Sequence, residues 1–228
     1  MEFDYEKGTK GAYKNATVAD EYHSWFSGRM RWKTMRFHVV AKGERLAVGE
    51  LLRAIPVRKV LDVPCGTGKL APVMAAGRYE VLAADISAEM LEVAKSTYGK
   101  HSIGKISYSL GDVEKLSSQF RHKKLDAVVC LRLMHRVPRE VRLRMLREIA
   151  LVAPHAVVSF GVSSKYHRLR KALRNLLFSE ANRPLCLDTI RNLEMDVKEY
   201  FVPVRKKWVS PVLSEEIVYL LRSRLHED

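Results

Sequence analysis

Apolar residues along the chain fall into short runs separated by stretches with helical spacing. Val57, Val60, Leu61 and Val63 make the first run, and Val81 to Ala84, Ile106 to Leu110, Leu125 to Leu131 and Ala156 to Phe160 make four more, each short enough for a strand. Between them the period lengthens. Glu44 to Ala54 reads as a helix with Leu46, Leu51 and Leu52 inward, and a second helix ends near Ala76 with Gly77 closing it. Ser87 followed by Met90, Leu91 and Ala94 marks a capped helix. After Leu133 to Val137, read as a loop, Pro138 opens a helix with the stripe Val141, Met145, Ile149 and Val152; Arg139, Arg144 and Arg147 take its solvated side. Leu187 to Met195 predicts another helix, and Phe201 to Trp208 and Ile217 to Leu221 the last two strands, with Pro203 and Pro211 marking edges and turns. Alternating strands and helices in one chain of 228 residues predict a single α/β domain.

Two segments stand apart from that rhythm. Residues 1–17 are polar and read as a loose arm, and the stretch that follows is dense in aromatics and cations. Tyr22, Trp25 and Phe26 have helical spacing there, and Ser27-Gly28 reads as a break between two helices. Residues 1–43 are therefore assigned to an N-terminal arm and helical lid, and residues 44–228 to the core. Within the core, near 163–196, a basic helical insertion places Tyr166, Leu169, Leu173, Leu176 and Leu177 on one face and Lys165, Arg168, Arg170, Lys171 and Arg174 on the other. Docking of that helix on the domain is favoured over contact with a membrane, because one such helix without a lipid anchor binds bilayers only marginally.

The candidate chemistry centres on Val60 to Ala71, VLDVPCGTGKLA, a strand running into a Pro-Cys-Gly-Thr-Gly turn and a helix start. Gly66 and Gly68 carry no Cβ to hold a ligand away from the backbone, and the following helix start would offer free N–H groups, so the stretch reads as a nucleotide-type cradle. A phosphate-cradling P-loop is excluded, since Leu70 follows Lys69 where Ser or Thr is required and Val63 occupies the first glycine position. Gly66, Gly68 and Ala71 also fit the dinucleotide fingerprint, with Asp85 nineteen residues after Gly66 as a ribose-binding carboxylate. Asp62 argues against a pyrophosphate there: a carboxylate just ahead of the glycines repels phosphate and attracts a ligand bearing an ammonium and a sulfonium.

From Val60 to Val137 the chain resembles the class I S-adenosylmethionine-dependent methyltransferases. LDVPCGTG is similar to the family's first motif, with Pro64 where the first glycine of the pattern stands; AADISAEML resembles the acidic end of the second strand; GDVEKL and LDAVVCLRLMHRVP resemble the segments after the third strand and at the fourth. The resemblance implies a Rossmann-like seven-stranded sheet, mostly parallel with one antiparallel strand near the C-terminus, helices on both faces and an N-terminal helical cap. It also implies S-adenosyl-L-methionine as cofactor, held by Asp62, Pro64, Cys65, Gly66, Thr67 and Gly68 around the turn, by Asp85 at the ribose with Ile86 and Met90 following, by Gly111, Asp112 and Val113 with Asp112 beside the adenine amino group, and by Cys130 and Leu131 at the end of the fourth strand.

Composition and charge then bound the partners. Forty Lys and Arg against 26 Asp and Glu give a formal charge of +14, which favours nucleic acid, anionic lipid or acidic substrates without choosing among them. No apolar run approaches the length of a membrane span and the N-terminus has no signal-like apolar core, so the expected location is cytoplasmic. Cys65, Cys130 and Cys186 have neither metal nor redox spacing and read as reduced thiols. Cys130, at the end of an apolar strand, is read as a buried structural thiol rather than as a nucleophile for carbon methylation.

Methyl transfer from a positive sulfur needs no metal or covalent intermediate; positioning and desolvation supply most of the catalysis, with a base where the acceptor must lose a proton. The acceptor should enter from the carboxyl ends of the strands, where Arg132 and Arg136 favour an anionic group, and Tyr22, Trp25 and Arg31 would meet it from the lid. His135 in the same loop is the candidate base, or else a brace beneath the cofactor. No Asn/Asp-Pro-Pro-aromatic motif follows the fourth strand. The favoured reading is an S-adenosylmethionine-dependent methyltransferase acting on O or N of an anionic small molecule or glycan. RNA methylation is the alternative, followed by a non-catalytic cofactor-binding protein of the same fold.

Overall fold

A computed structural model describes residues 35–163, 186–210 and 213–226. The lid residues Tyr22, Trp25 and Arg31 and the basic helix at 165–177 lie outside them.

Seven strands form one sheet in the order β3-β2-β1-β4-β5-β7-β6. They are β1 (Lys59–Asp62), β2 (Glu80–Asp85), β3 (Lys105–Leu110), β4 (Ala127–Cys130), β5 (His155–Gly161), β6 (Phe201–Trp208) and β7 (Glu216–Ser223). The first five run parallel; β7 lies antiparallel to β5 and to β6. This is the sheet expected from the sequence, and β6, which carries Pro203 and an irregular register beside it, is its edge. Helix α1 (Met35–Leu52), α2 (Ala71–Ala76) and α3 (Ala88–Tyr98) pack on one face; α4 (Leu116–Phe120), α5 (Arg139–Val152) and α6 (Ile190–Lys198) pack on the other.

The two-residue period of the strands divides the core between those faces. Val60, Val81, Ala83, Val129, Val157 and Val218 join Leu51, Leu52 and Met74 on one side, whereas Leu61, Leu82, Val128, Val158, Phe160 and Tyr219 join Met145, Leu146 and Ile149 on the other. A strand coated on both faces must be apolar at successive positions, which is why the central strands read as solid runs. The α5 stripe Val141, Met145, Ile149 and Val152 is buried as its spacing requires, and Ser87 caps α3 by accepting from the Met90 amide.

Three elements depart from the sequence reading. Helix α1 starts at Met35 and runs unbroken through residues 43 and 44, with Gly43 so close to the Val209 carbonyl that a Cβ would meet its oxygen at 2.3 Å. Leu46 is 60% exposed rather than inward. The buried stripe of α1 is Ala41, Glu44, Ala47, Val48, Leu51 and Leu52, and Leu46 sits about 200° from Glu44, on the opposite side. The segment read as a loop at Leu133 to Val137 contains a 3₁₀ turn, Met134–Arg136, and the helix expected from Leu187 begins at Ile190 behind a Thr189 cap.

Candidate functional site

The carboxyl ends of β1, β2, β3 and β4 carry the motif residues to one rim. The chain leaves β1 towards β2 on one side and β4 on the other, so the sheet order reverses there and opens a crevice. A cleft partly open to solvent fills it. Its walls include Asp62, Pro64, Cys65, Gly66 and Thr67 from the turn, Asp85, Ile86 and Met90 from the second strand and its helix, Gly111, Asp112 and Val113 after the third, and Leu131, Arg132 and Arg136 after the fourth.

Each part of the rim is fixed by local bonds. The Val63–Pro64 peptide is cis, and the Cys65 amide donates to the Ala84 carbonyl at 2.8 Å, tying the turn to β2. Asp85 Oδ2 accepts from the Gly66 amide at 2.8 Å and Oδ1 from the Ser87 amide at 3.0 Å, so its carboxylate is held in place with lone pairs to spare for hydroxyls. Asp112 Oδ1 accepts from the Glu114 amide, while its own amide donates to Gln119. Asp62 is buried and accepts from the Tyr98 hydroxyl at 2.6 Å. Burial raises its pKa to about 7; the Tyr98 hydrogen bond opposes that shift and the nearby Asp85 charge adds to it.

The two turn glycines have different reasons. Gly66 has a φ of +52° and open space where a Cβ would be, so it leaves room for a ligand. Gly68, at φ +78°, is packed against Thr97 and Tyr98 and does not line the cleft. Gly111 touches the cleft, but a Cβ there would press Ala84 and Phe120 at 3.0 Å, so glycine is required by packing. The expectation of free amides at the helix start is corrected: α2 has six residues, the Ala71 amide donates to the Gly68 carbonyl, and Pro72 has no N–H. Cys130 is fully buried outside the cleft wall, with its thiol pKa pushed up by burial and by Asp62.

His135 does not line the cleft. It is buried behind the loop, where a Cβ on Gly161 would meet its Cβ at 2.7 Å, and its carbonyl accepts from the Cys186 amide. Burial, then Arg136 and Arg132, push its pKa down to about 3. Arg132 takes a left-handed φ of +60°, rare outside glycine, and its amide donates to Ser159 Oγ at 2.8 Å.

Sequence reasoning missed the polar cluster at that end of the cleft. Glu44 from α1 and Lys69 from the turn join Arg132 and Arg136 on the wall. Behind them lies Glu216 at the start of β7, hydrogen-bonded to Glu44 and to Ser159. Lys69, immediately after the glycine turn, was the one member with a positional signal. Its ammonium pKa is pushed well down, by burial first and then by Arg132.

The site fits S-adenosylmethionine: a buried carboxylate for an ammonium, a second with free lone pairs for ribose hydroxyls, an uncrowded glycine, and apolar walls from Ile86, Met90 and Val113. One expected result follows from Asp62. Because a bound ammonium favours the carboxylate, affinity for S-adenosylhomocysteine should be full above about pH 7 and fall roughly tenfold per pH unit below it, and Asp62→Asn should weaken binding and remove that dependence. Calorimetry between pH 5 and 8 measures it.

Residues 60–154 match a family model described as a methyltransferase domain. A ubiquinone biosynthesis O-methyltransferase of Xanthomonas campestris pv. campestris is 34% identical over 85 residues, 37% of this chain and 35% of that protein. One from Rickettsia felis is 32% identical over 114 residues, 50% of this chain and 43% of that one, so the chain spans less than half the length of either relative. Among solved structures, a magnesium protoporphyrin IX methyltransferase of Synechocystis PCC 6803 with bound S-adenosylhomocysteine superposes with a TM-score of 0.78 at 21% identity, covering 93% of this chain and 97% of that one. No helix among the described residues is long and apolar enough to cross a membrane, and no group of His, Cys, Asp and Glu among them could hold a metal. With the strand order, the glycine turn and the carboxylates of β1 and β2 already in place, these matches show a methyltransferase domain over residues 60–154 on a chain with the fold of an S-adenosylmethionine-dependent methyltransferase.

Proposed function

We propose that the chain transfers a methyl group from S-adenosylmethionine to oxygen or nitrogen of an anionic small molecule or glycan. The observation that carries this is the charge of the cleft beyond the cofactor residues, where Arg132 and Arg136 stand on the wall against one acid, Glu44. Guanidinium groups bind carboxylate or phosphate in two-pronged fashion and would orient such an acceptor. The names of the curated relatives, O-methyltransferases, support oxygen as the methylated atom.

When bound, S-adenosylmethionine supplies an electrophilic methyl group. The chain's own work is to hold the acceptor in line and exclude water. Asp62 and Asp85 set the cofactor end and the Arg132–Arg136 turn sets the acceptor end. We assign His135 to bracing that turn, since a buried imidazole with a pKa of about 3, off the cleft wall, has little driving force to take a proton at neutral pH.

The test is methyl transfer from labelled S-adenosylmethionine to a metabolite extract split into anionic and neutral fractions, and to bulk RNA. Label in the anionic small-molecule fraction is expected. Label confined to RNA would establish the nucleic-acid alternative, which the +14 charge keeps in view. Binding of S-adenosylhomocysteine with no label anywhere would favour a non-catalytic protein.

A further inference from the structure

The acceptor end of the cleft holds more buried acid than a binding site for an anion needs. Glu44 is almost fully buried yet lines the cleft, and Glu216 lies directly behind it, hydrogen-bonded to it. Two carboxyl groups in hydrogen-bond contact must share a proton, because two carboxylates offer only acceptors. Glu44 Oε1 and Glu216 Oε1 each lack a hydrogen-bond partner among the described residues; Glu44 Oε1 is ion-paired with Arg132 Nε at 3.6 Å, beyond hydrogen-bond reach. A buried carboxylate oxygen with no donor on it, on the wall of a methyl-transfer cleft, sits where a hydroxyl or ammonium would arrive.

We infer that Glu44, backed by Glu216, takes up the proton that the acceptor loses as it is methylated. This rests on the proposed transfer to oxygen or nitrogen. For a hydroxyl acceptor, the oxygen's electron pair forms the new O–CH₃ bond, the C–S pair stays on the departing sulfur, and the O–H proton forms an O–H bond with Glu44. Glu44 is then a catalytic residue. Glu216 is a positioning residue that sets how tightly the proton is held.

The surroundings tune the pair. Burial first and then the Glu44 charge raise Glu216 to about 8, while Arg132 and the Ser159 hydroxyl pull the other way. The groups facing the pair from every packed element are Lys69 from the glycine turn, Arg132 and Arg136 from the loop after β4, Ser159 from β5, and Ser214, whose hydroxyl accepts from the Glu216 amide before β7. Proton release from Glu216 near pH 8 is matched to proton uptake at this end of the cleft close to neutrality. The competent form is the doubly ionised pair, so turnover rises with pH up to about 8 and levels off above it.

The experiment uses the whole chain, labelled S-adenosylmethionine, and 3,4-dihydroxybenzoate as a probe that joins an anionic group to hydroxyls. Turnover of the natural sequence should climb roughly tenfold per pH unit below about 8. Glu44→Gln should lower kcat by about 10²–10⁴-fold with S-adenosylhomocysteine affinity and Tm nearly unchanged, and Glu44→Asp should restore part of it. Glu216→Gln should keep measurable turnover but lose the limb near pH 8, and infrared difference spectra should lose the carboxylic-acid band that titrates there in the natural sequence. Full kcat in Glu44→Gln, or an unchanged pH limb in Glu216→Gln, would overturn the inference. Loss of kcat together with cofactor affinity and Tm would also overturn it, leaving Glu44 as a fastening for α1. Cofactor binding by the natural sequence with no methylation of the probe or of any extract fraction would instead remove the functional reading beneath it.

Discussion

Asp85→Ala should weaken S-adenosylhomocysteine binding by about 2–3 kcal/mol, roughly 30- to 150-fold, the range for hydrogen bonds to a charged group. The carboxylate sits at the end of β2 beside the cleft and accepts the Gly66 amide at one oxygen and the Ser87 amide at the other, so ribose hydroxyls would meet its remaining lone pairs. Its surroundings add a second consequence. Removing it strips the acceptor from the Gly66 and Ser87 amides, so the glycine turn should loosen and the protein should lose about 1–3 kcal/mol of stability as well. Asp85→Asn separates the two effects, since its amide oxygen still accepts one amide while the charge and one acceptor are gone. Calorimetry showing unchanged affinity in Asp85→Ala would remove Asp85 from the ribose. Tight NADH binding with none of S-adenosylhomocysteine would revive the dinucleotide reading that the glycine spacing also permits.

What the sequence made legible was local. Asp62, the glycine turn and Asp85 each lie at the end of an apolar run, and a strand's end is fixed by the few residues around it, so their meeting on one rim of the cleft was legible in the local pattern. The Glu44 end was not. Glu44 and Glu216 meet because α1 packs beside β7 and β7 lies against β5, contacts that no neighbouring residues encode. Glu44 also hides within its helix: a buried stripe of alanines, valine and one acid carries less apolar signal than Leu46 on the far side, so the eye chooses the wrong face. The left-handed Arg132 is similarly silent, since nothing in LRLMHR requires a positive φ. Glycine requirements were legible as positions but not as reasons: Gly66 makes room for a ligand, while Gly68 and Gly111 make room for protein.

The largest expected loss of stability lies away from the cleft, in the attachment of α6. Asp196 is wholly buried; its Oδ2 accepts from Arg142 Nε at 3.1 Å and Nη2 at 2.7 Å, and its Oδ1 from Arg139 Nε at 2.8 Å. Arg142 is buried too and also reaches Asp188 Oδ2 at 3.1 Å. Such a pair contributes little net stability against an apolar replacement, but removing one member leaves a desolvated charge. Asp196→Ala should therefore destabilise the fold by about 3–5 kcal/mol, a fall in Tm of roughly 6–20 °C. The double variant Arg142→Met with Asp196→Leu should recover most of that, and a single variant within 1 kcal/mol of the natural sequence would refute the assignment. The function should follow the geometry. The segment leading into α6 packs against the loop proposed to meet the acceptor, with the Cys186 amide on the His135 carbonyl and Leu187 against Gly161, whereas the carboxylates proposed to hold the cofactor belong to β1 and β2. Measured below its own Tm, Asp196→Ala should thus keep its affinity for S-adenosylhomocysteine while KM for the acceptor rises. Equal losses at both ends would mean that α6 supports the whole sheet rather than the acceptor side.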